Sequence, residues 1–308
     1  MQSRRKVSQE GRKIHSESAL VGRLLFLLLL VFGMLFSLSS CNGQIPRAAA
    51  PIPEQQDALI GVIRIEAGDM LERDIIPQLC QIFFLSEDEV KNELAAASSS
   101  LINQTLIGFR SVEGMIPPGE YEVRSGAALQ EMISNWVAAS EARMQRLLAD
   151  QSALNHFSPP EQLILASIVQ AECLAGVHQA EVAAVLQNRL ADASRLQSCV
   201  TTEYALGFQR FYLTNDDIGL ASEYNTYFVA GLPLGPICAV SDVALQAAMQ
   251  PSINPELYFF FYDYLQNEMF FFTDYTDFQK EATASWQRFV EDSEVEATAQ
   301  INKQELYH

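Results

Sequence analysis

The sequence predicts an α+β protein with a mainly helical core and a β-hairpin near its C-terminus. Residues 161–190, EQLILASIVQAECLAGVHQAEVAAVLQNRL, have the apolar spacing of two buried helices. The run containing Val62, Ile63 and Ile65 is typical of a short strand. Two aromatic runs, LYFFFYDY and MFFFTDY, flank a polar turn at residues 265–267, which is the pattern of a hairpin.

The charge of the chain is strongly acidic and unevenly distributed. The 308 residues are 49% apolar and 19% charged, as in a globular protein, and the net charge is −18. Six of the 20 basic residues precede the first apolar run, which leaves 14 basic against 36 acidic side chains in residues 41–308. Such a surface repels phosphate backbones, so nucleic acid is excluded as a partner.

The N-terminal region has the pattern of a leader or a membrane anchor. Residues 24–38 form a 15-residue apolar run behind a basic segment, which suits a signal-peptide core better than a spanning helix. Leu38-Ser39-Ser40-Cys41 then resembles the lipobox of bacterial lipoproteins, which predicts a lipidated Cys41. An uncleaved single-pass anchor is the alternative. Both interpretations place residues 42–308 on the outer face of the cytoplasmic membrane.

The remaining elements follow from local signals. A helical pattern after the turn at Gly68 contains Pro77, and Ser86 with Glu89 forms a capping box for the next helix. Further helices are predicted from about Ala127 to Leu148, after Ser158, from about His178 to Leu190, after Ser241 and around Trp286, with a strand around Tyr121–Val123. Gly176 is the predicted stop between the two apolar helices, and residues 195–240 are predicted to be loop-rich.

Five units are predicted from this pattern. They are the leader or anchor (1–41), a proline- and alanine-rich tether (42–57), a small α+β subdomain (58–108), a main domain (109–285) and an acidic C-terminal helix or tail (286–308).

Glu172 is the residue that most needs an explanation. It follows Ile168 and Val169 by about one turn, on the face that they cover, in a helix that is apolar nearly all round. Burial favours the neutral form of a carboxylic acid, so this group can carry a proton near neutral pH and donate it. A structural acid paired with a distant cation is the alternative.

A proton donor of this kind suits cleavage of a glycosidic bond. Hydrolysis usually needs a second carboxylate, and the sequence offers none beside Glu172, because Glu181 is predicted on the polar side of the next helix. A single acid suffices where the substrate supplies the nucleophile. In peptidoglycan the C6 hydroxyl of N-acetylmuramic acid can attack its own anomeric carbon and form a 1,6-anhydro ring.

Several ordered blocks resemble one family. LASIVQAECL followed by VAAVLQNRL is similar to the signature of the MltG/YceG-like endolytic murein transglycosylases, and EGMIPPGEYEV, the Tyr224–Tyr227 block and GLPLGPI extend the match. The resemblance implies a goose-lysozyme-like catalytic core with a small LysM-like subdomain before it. It also implies that Glu172 is the catalytic acid, that nascent glycan strands are the substrate and that peptidoglycan synthases are possible partners.

Six further positions are candidate substrate-binding residues. Tyr224, Asn225 and Thr226 either hold the sugar or shape a turn, and Gln197 and Ser198 are candidate donors in the groove. Asn188, with its neighbour Arg189, either closes the floor of the site or belongs to a helix end whose arginine pairs with acids.

The chain also departs from the family pattern. Cys199 and Val200 stand where the family has an acid and a proline, and Gln170, Cys173 and Glu223 are further differences. A catalytically degenerate glycan-binding or scaffold protein of the same fold is therefore the alternative function, and a solute-binding lipoprotein is a distant third. A disulfide between Cys199 and Cys238, or one using Cys173, is a further expectation. With no CxxC pair and four histidines, the sequence predicts neither a metal nor a cofactor.

Overall fold

A computed structural model describes residues 58–105, 112–149, 157–173, 177–210 and 213–292. Two small antiparallel sheets and nine helices are found in this part of the chain. The helices are α1 (Ile76–Phe83), α2 (Glu87–Thr105), α3 (Leu129–Ala149), α4 (Pro159–Glu172), α5 (Gln179–Ala191), α6 (Cys199–Leu206), α7 (Asn215–Ile218), α8 (Asp242–Met249) and α9 (Tyr275–Glu291). The strands are β1 (Leu59–Ile65), β2 (Gly119–Arg124), β3 (Phe259–Asp263) and β4 (Glu268–Phe272). The mixture of helix and sheet agrees with the predicted class.

The first sheet joins two strands that are far apart in sequence. β1 runs antiparallel to β2, with Ile63 opposite Tyr121, and the side chains of Ile63 and Val123 are buried beneath the sheet. A π-helical turn at Leu71–Ile75 leads into α1, whose first turn contains Pro77. Proline is tolerated there because the first amide groups of a helix have no partner within it.

This pairing crosses a predicted boundary, and the division of the chain into five units stays a prediction. The boundary between residues 108 and 109 separates β1 from β2, whereas the β-α-α-β unit that they close extends to Arg124. The described residues also cluster as one compact unit. The predicted boundary at residue 286 falls inside α9, which begins at Tyr275.

The central helix is α4, and the sequence explains why it is buried. Ser158 and Glu161 form the predicted capping box, in which the Ser158 amide donates to the Glu161 carboxylate at 2.8 Å. The helix then packs against α5, α6 and α8 and buries apolar side chains on all sides. It ends at Glu172, since Cys173 leaves helical geometry, and the predicted stop at Gly176 lies outside the described residues.

The segment predicted as loop-rich contains two helices. α6 and α7 lie within residues 195–240, so the prediction of loops was wrong for Cys199–Leu206 and Asn215–Ile218. A capping box between Thr214 and Asp217 begins α7, and contacts with other elements hold α6, as described below.

The hairpin and the last helix form an aromatic layer. β3 and β4 pair with Phe261 opposite Phe270, as predicted, and their rings lie 5.5 Å apart. α9 packs on this hairpin through Phe278 and through an ion pair of 3.0 Å between Arg288 and the buried Asp263. The predicted helix around Trp286 is therefore present and docked.

The predictions for the N-terminus are not tested by the fold. The leader, Cys41 and the tether lie outside the described residues. Within the described part, no helix combines the length and the apolar character that crossing a bilayer needs.

Candidate active site

Glu172 lies at the C-terminal end of α4 and faces the start of α6. The Ser198 hydroxyl donates a hydrogen bond of 2.6 Å to its Oε1 atom. The residue as a whole is half-buried, and the carboxyl group is enclosed by protein. Glu172 therefore combines an enclosed carboxyl group with partial exposure of the residue as a whole.

Burial dominates the acidity of Glu172. Loss of hydration raises its pKa to about 7, although the Ser198 hydrogen bond acts in the opposite direction. The negative charge of Glu203 raises the pKa further, and the positive charge of Arg189 lowers it. At neutral pH the group is consequently divided between its acid and base forms, as acid–base catalysis requires.

Ser198 is held by a buried network of hydroxyl groups. Its amide donates to Thr226 Oγ1 at 3.0 Å, and its carbonyl accepts from Thr201 Oγ1 at 2.7 Å. The hydroxyls of Thr201 and Thr226 lie 2.8 Å apart. All three side chains are buried, so the structure brings the predicted residues Ser198 and Thr226 together in support of Glu172.

Asn225 fixes the turn that carries Thr226. It is fully buried, its amide donates to the carbonyl of Leu220 at 2.8 Å, and its Oδ1 accepts from Thr202 and from the amide of Tyr227. These contacts agree with the interpretation of Asn225 as a residue that shapes the turn. Tyr224 is half-buried, and its ring packs 4.8 Å from the ring of Tyr204.

The other two candidates occupy different environments. Gln197 is exposed beside Ser198, has a positive φ of 49° and donates from its amide to the Thr226 carbonyl at 3.2 Å. Asn188 instead donates to the backbone carbonyls of Asn254 and Leu257, which ties α5 to the segment before β3.

Arg189 contributes a half-buried positive charge. Its guanidinium donates to the carbonyls of Tyr258 and Leu196 at 2.7 and 2.6 Å and lies over the Phe259 ring. Burial lowers the pKa of Arg189. The structure therefore gives it backbone partners and places its charge where it acts on Glu172.

Comparison with known proteins identifies the family. The model of the YceG-like family matches residues 53–284, which is about three quarters of the chain. The chain belongs to the YceG-like family.

Two curated relatives and one solved structure resemble this YceG-like protein. An endolytic murein transglycosylase of Bacillus subtilis (strain 168) is 27% identical over 149 residues, which cover 48% of this chain and 41% of that protein. One from Streptococcus pneumoniae serotype 2 is 28% identical over 153 residues, covering 48% of this chain and 28% of that protein. The chain thus spans less than half the length of either relative.

The solved structure shows the shared fold. The crystal structure of a putative yceG-like protein from Listeria monocytogenes superposes with a TM-score of 0.62 at 24% identity and covers 71% of this chain and 75% of that one.

Two residues near Glu172 in this YceG-like protein were missed by the sequence analysis. Glu203, on α6, is 8% exposed, accepts a hydrogen bond from the Arg210 amide, and has a pKa raised by burial. Tyr227 places its hydroxyl 3.3 Å from Cys199 Sγ. Glu203 was missed because residues 199–206 were interpreted as a loop, whereas they form a helix.

The departures from the family pattern have defined surroundings. Gln170 is buried, and its Oε1 accepts from the amide of Ser241 at the start of α8, away from the Glu172 carboxylate's partners. Cys199 begins α6 beside Tyr227 and is exposed as a residue, and loss of hydration at the sulfur followed by the charge of Glu172 raises the pKa of its thiol. The thiol is therefore a neutral group beside the acid.

The expected disulfide is not formed. Cys173, Cys199 and Cys238 are each free: the Cys238 thiol donates to the carbonyl of Ser167 at 3.3 Å, and Cys199 Sγ lies 3.3 Å from the Tyr227 hydroxyl. In the ranges that the structure describes, no three His, Cys, Asp or Glu side chains converge on a possible metal site.

Proposed function

We propose that the chain is an endolytic lytic transglycosylase, which cleaves the bond between N-acetylmuramic acid and N-acetylglucosamine in nascent peptidoglycan. The observation that carries this proposal is the enclosed Glu172, with a pKa of about 7 and a hydrogen bond from Ser198. The names of the curated relatives support the same reaction class. The proposed core is goose-lysozyme-like, with a LysM-like unit before it.

One carboxyl group performs both proton transfers in this reaction. Protonated Glu172 gives its proton to the glycosidic oxygen, the bond from that oxygen to C1 of the muramic acid breaks, and the glucosamine end leaves with a hydroxyl. The Glu172 carboxylate then removes the proton of the C6 hydroxyl, whose oxygen bonds to C1. The product is a 1,6-anhydro end, no water is consumed, and Glu172 returns to its acid form.

The surroundings of Glu172 suit this sequence of steps. Ser198 orients the carboxylate through its 2.6 Å hydrogen bond, and Arg189 places a positive charge that favours the ionised form after the first transfer. Gln197 and Tyr224 are the proposed sugar contacts, since each retains exposed surface. Ser198, Asn225 and Thr226 support the site from its buried side, and Asn188 supports the floor of the site.

The proposed location follows from the N-terminal pattern. The leader carries either a lipidated Cys41 or an uncleaved anchor, so the site operates on the outer face of the cytoplasmic membrane. Peptidoglycan synthases that produce nascent strands are the proposed partners there.

A glycan-binding or scaffold role without catalysis is the second candidate. The specific observation in its favour is Cys199, a neutral thiol at a position where the resemblance to the family pattern implies an acid. Such a protein would bind the same strands and leave them intact.

Product analysis separates these functions. Full-length protein in detergent is incubated with uncrosslinked glycan strands, and the new ends are identified by mass spectrometry. Anhydro-muramyl ends are the expected result. Ordinary reducing ends would indicate a hydrolase instead, and intact strands that still co-sediment with the protein would indicate the binding role.

A further inference from the structure

Another buried carboxylate, Glu113, lies outside the proposed chemistry. It is 3% exposed, and its oxygens accept hydrogen bonds from the Leu71 amide at 3.1 and 3.2 Å. The hydroxyl of Tyr204 donates to the same group at 3.1 Å. Enclosing a carboxylate is costly even when it is paired, and an apolar side chain of similar size is often at least as stable. Its presence therefore needs a reason other than packing.

The contacts of Glu113 connect the N-terminal unit to α6. Leu71 begins the π-helical turn after β1, and Tyr204 lies in the second half of α6. The same junction is closed by backbone bonds between Gly68 and Ala239 and between Asp69 and Ala239. Ala239 lies two residues after Ile237, and the amide of Ile237 donates to the Ser167 hydroxyl of α4 at 3.1 Å. These hydrogen bonds thus connect the surroundings of Glu113 to α4, the helix that carries Glu172.

α6 links the contacts of Glu113 to the position of the Glu172 carboxyl group. Its eight residues include several β-branched side chains, which favour a helix weakly, so external contacts decide its position. Tyr204 fixes it to Glu113 and packs on Tyr224, while Thr201 and Thr202 bond to Thr226 and Asn225 of the same turn. Ser198 immediately precedes α6 and donates to Glu172.

We propose that Glu113 is a positioning residue, which acts through Tyr204 and α6 to hold the Ser198 hydroxyl against the Glu172 carboxylate. The catalytic consequence rests on the proposed function, whereas the effect on Glu172 itself is independent of any substrate. Glu113 does not touch the reacting atoms.

A Tyr204→Phe variant tests the link by removing one hydroxyl. The pKa of Glu172 is measured by ¹³C NMR titration of full-length protein labelled at the glutamate carboxyl carbon, with the signal assigned by its loss in Glu172→Gln. We expect Tyr204→Phe to raise the pKa of Glu172, in the same direction as Ser198→Ala, because the Ser198 bond lowers it. We expect kcat to fall roughly tenfold with little change in KM.

Tyr121→Phe is the matched control. It removes a hydroxyl that is also half-buried and donates to the Pro117 carbonyl at 2.6 Å, in a different network. Parental values of both the Glu172 pKa and kcat are expected for this variant. A Glu172 pKa in Tyr204→Phe that equals the parental value would overturn the proposal.

Glu113→Gln provides an independent arm that also covers misfolding of the tyrosine variant. Both carboxylate oxygens of Glu113 accept hydrogen bonds, from Leu71 and Tyr204, whereas only the side-chain oxygen of a glutamine can accept. The substitution therefore weakens these contacts, and the pKa of Glu172 is expected to rise as it does in Tyr204→Phe. The double variant is expected to shift it no further than the larger single change, and additive shifts would contradict a common path. If the parent cleaves no glycan, the proposed function fails while this titration still decides the positioning role.

Discussion

At the residue scale, the acidity of Glu172 is the balance of burial against two stabilising partners. Ser198 donates a hydrogen bond and Arg189 supplies a positive charge, and both favour the carboxylate. Loss of hydration outweighs them, because the pKa remains at about 7 in place of the ordinary 4.5. A fully hydrated acid would be almost entirely ionised at neutral pH and could not start the reaction.

Ser198→Ala tests this balance. Removal of the hydrogen bond is expected to raise the pKa of Glu172, so the alkaline limb of kcat/KM, near pH 7 in the parent, moves to higher pH. kcat itself is expected to fall by roughly tenfold or more, because the carboxylate loses its orientation. The measurement is the pH dependence of anhydro-end formation between pH 5 and 9.

Ser86→Ala is the control for the serine change, since Ser86 caps α2 through Glu89. An unmoved alkaline limb in Ser198→Ala would mean that the Ser198 bond does not set the acidity of Glu172.

The site was only partly predictable from the sequence. Glu172 stood out because a carboxylate in an apolar helix is unusual and because family blocks surround it. Ser198 was named as a candidate groove donor and Thr226 as either a sugar contact or part of a turn, and the structure shows both buried in a network behind the acid. Glu203 and Glu113 could not be recognised, since their proximity to the site depends on how α6 packs against other elements.

At the element scale, Gly114 lies very close to the segment before α8. Gly114 has a φ of +73°, and a Cβ atom there would lie 2.5 Å from Pro236 Cβ. Gly207, at the end of α6, has a similar φ of +79° with nothing within 4 Å of its Cβ position. Substitutions at these two glycines can therefore separate the cost of backbone strain from the cost of a steric clash.

Gly114→Ala is expected to destabilise the protein more than Gly207→Ala. Both substitutions incur the left-handed penalty of about 1 kcal/mol, and overpacking against Pro236 adds about 1–3 kcal/mol at Gly114 alone. Urea unfolding followed by the fluorescence of the buried Trp136 measures the difference. Equal losses of stability would show that the contact with Pro236 relaxes without cost.

Elements with strong local signals were predicted correctly. The capping boxes at Ser86 and Ser158 mark the starts of α2 and α4, and the hairpin was evident from its aromatic runs and turn. α6 was missed because CVTTEYAL lacks helical periodicity and begins with four residues, CVTT, that favour a helix only weakly. Tertiary contacts of Thr201, Thr202 and Tyr204 impose its helix.

At the scale of the whole molecule, buried acids make stability depend on pH. Glu113 has a pKa raised to about 7, with burial as the main cause, so the folded state binds a proton more tightly than the unfolded chain does. Its contribution is therefore complete below about pH 4.5 and is lost as pH rises to about 7. Asp263 acts in the opposite direction and at lower pH. Its hydrogen bonds hold its pKa at about 2, so its contribution to stability is present above about pH 4 and is lost as the pH falls towards 2.

Glu113→Gln is expected to flatten the pH dependence of the free energy of unfolding. The parent should lose on the order of 3 kcal/mol relative to this variant between about pH 4.5 and 7, with little further change above that range. Urea unfolding at a series of pH values measures both curves. Parallel curves would show that Glu113 ionises in the folded state as readily as in the unfolded chain.

The central claim is that Glu172 performs the proton transfers of a lytic transglycosylase. Its most direct test compares the parent, Glu172→Gln and Glu181→Gln, a matched change of a half-buried acid on the neighbouring α5, acting on the same uncrosslinked strands. We predict abundant 1,6-anhydro-muramyl ends from the parent and Glu181→Gln, and a loss of at least about 1,000-fold in Glu172→Gln. Equal amounts of anhydro ends from the parent and Glu172→Gln would contradict the claim.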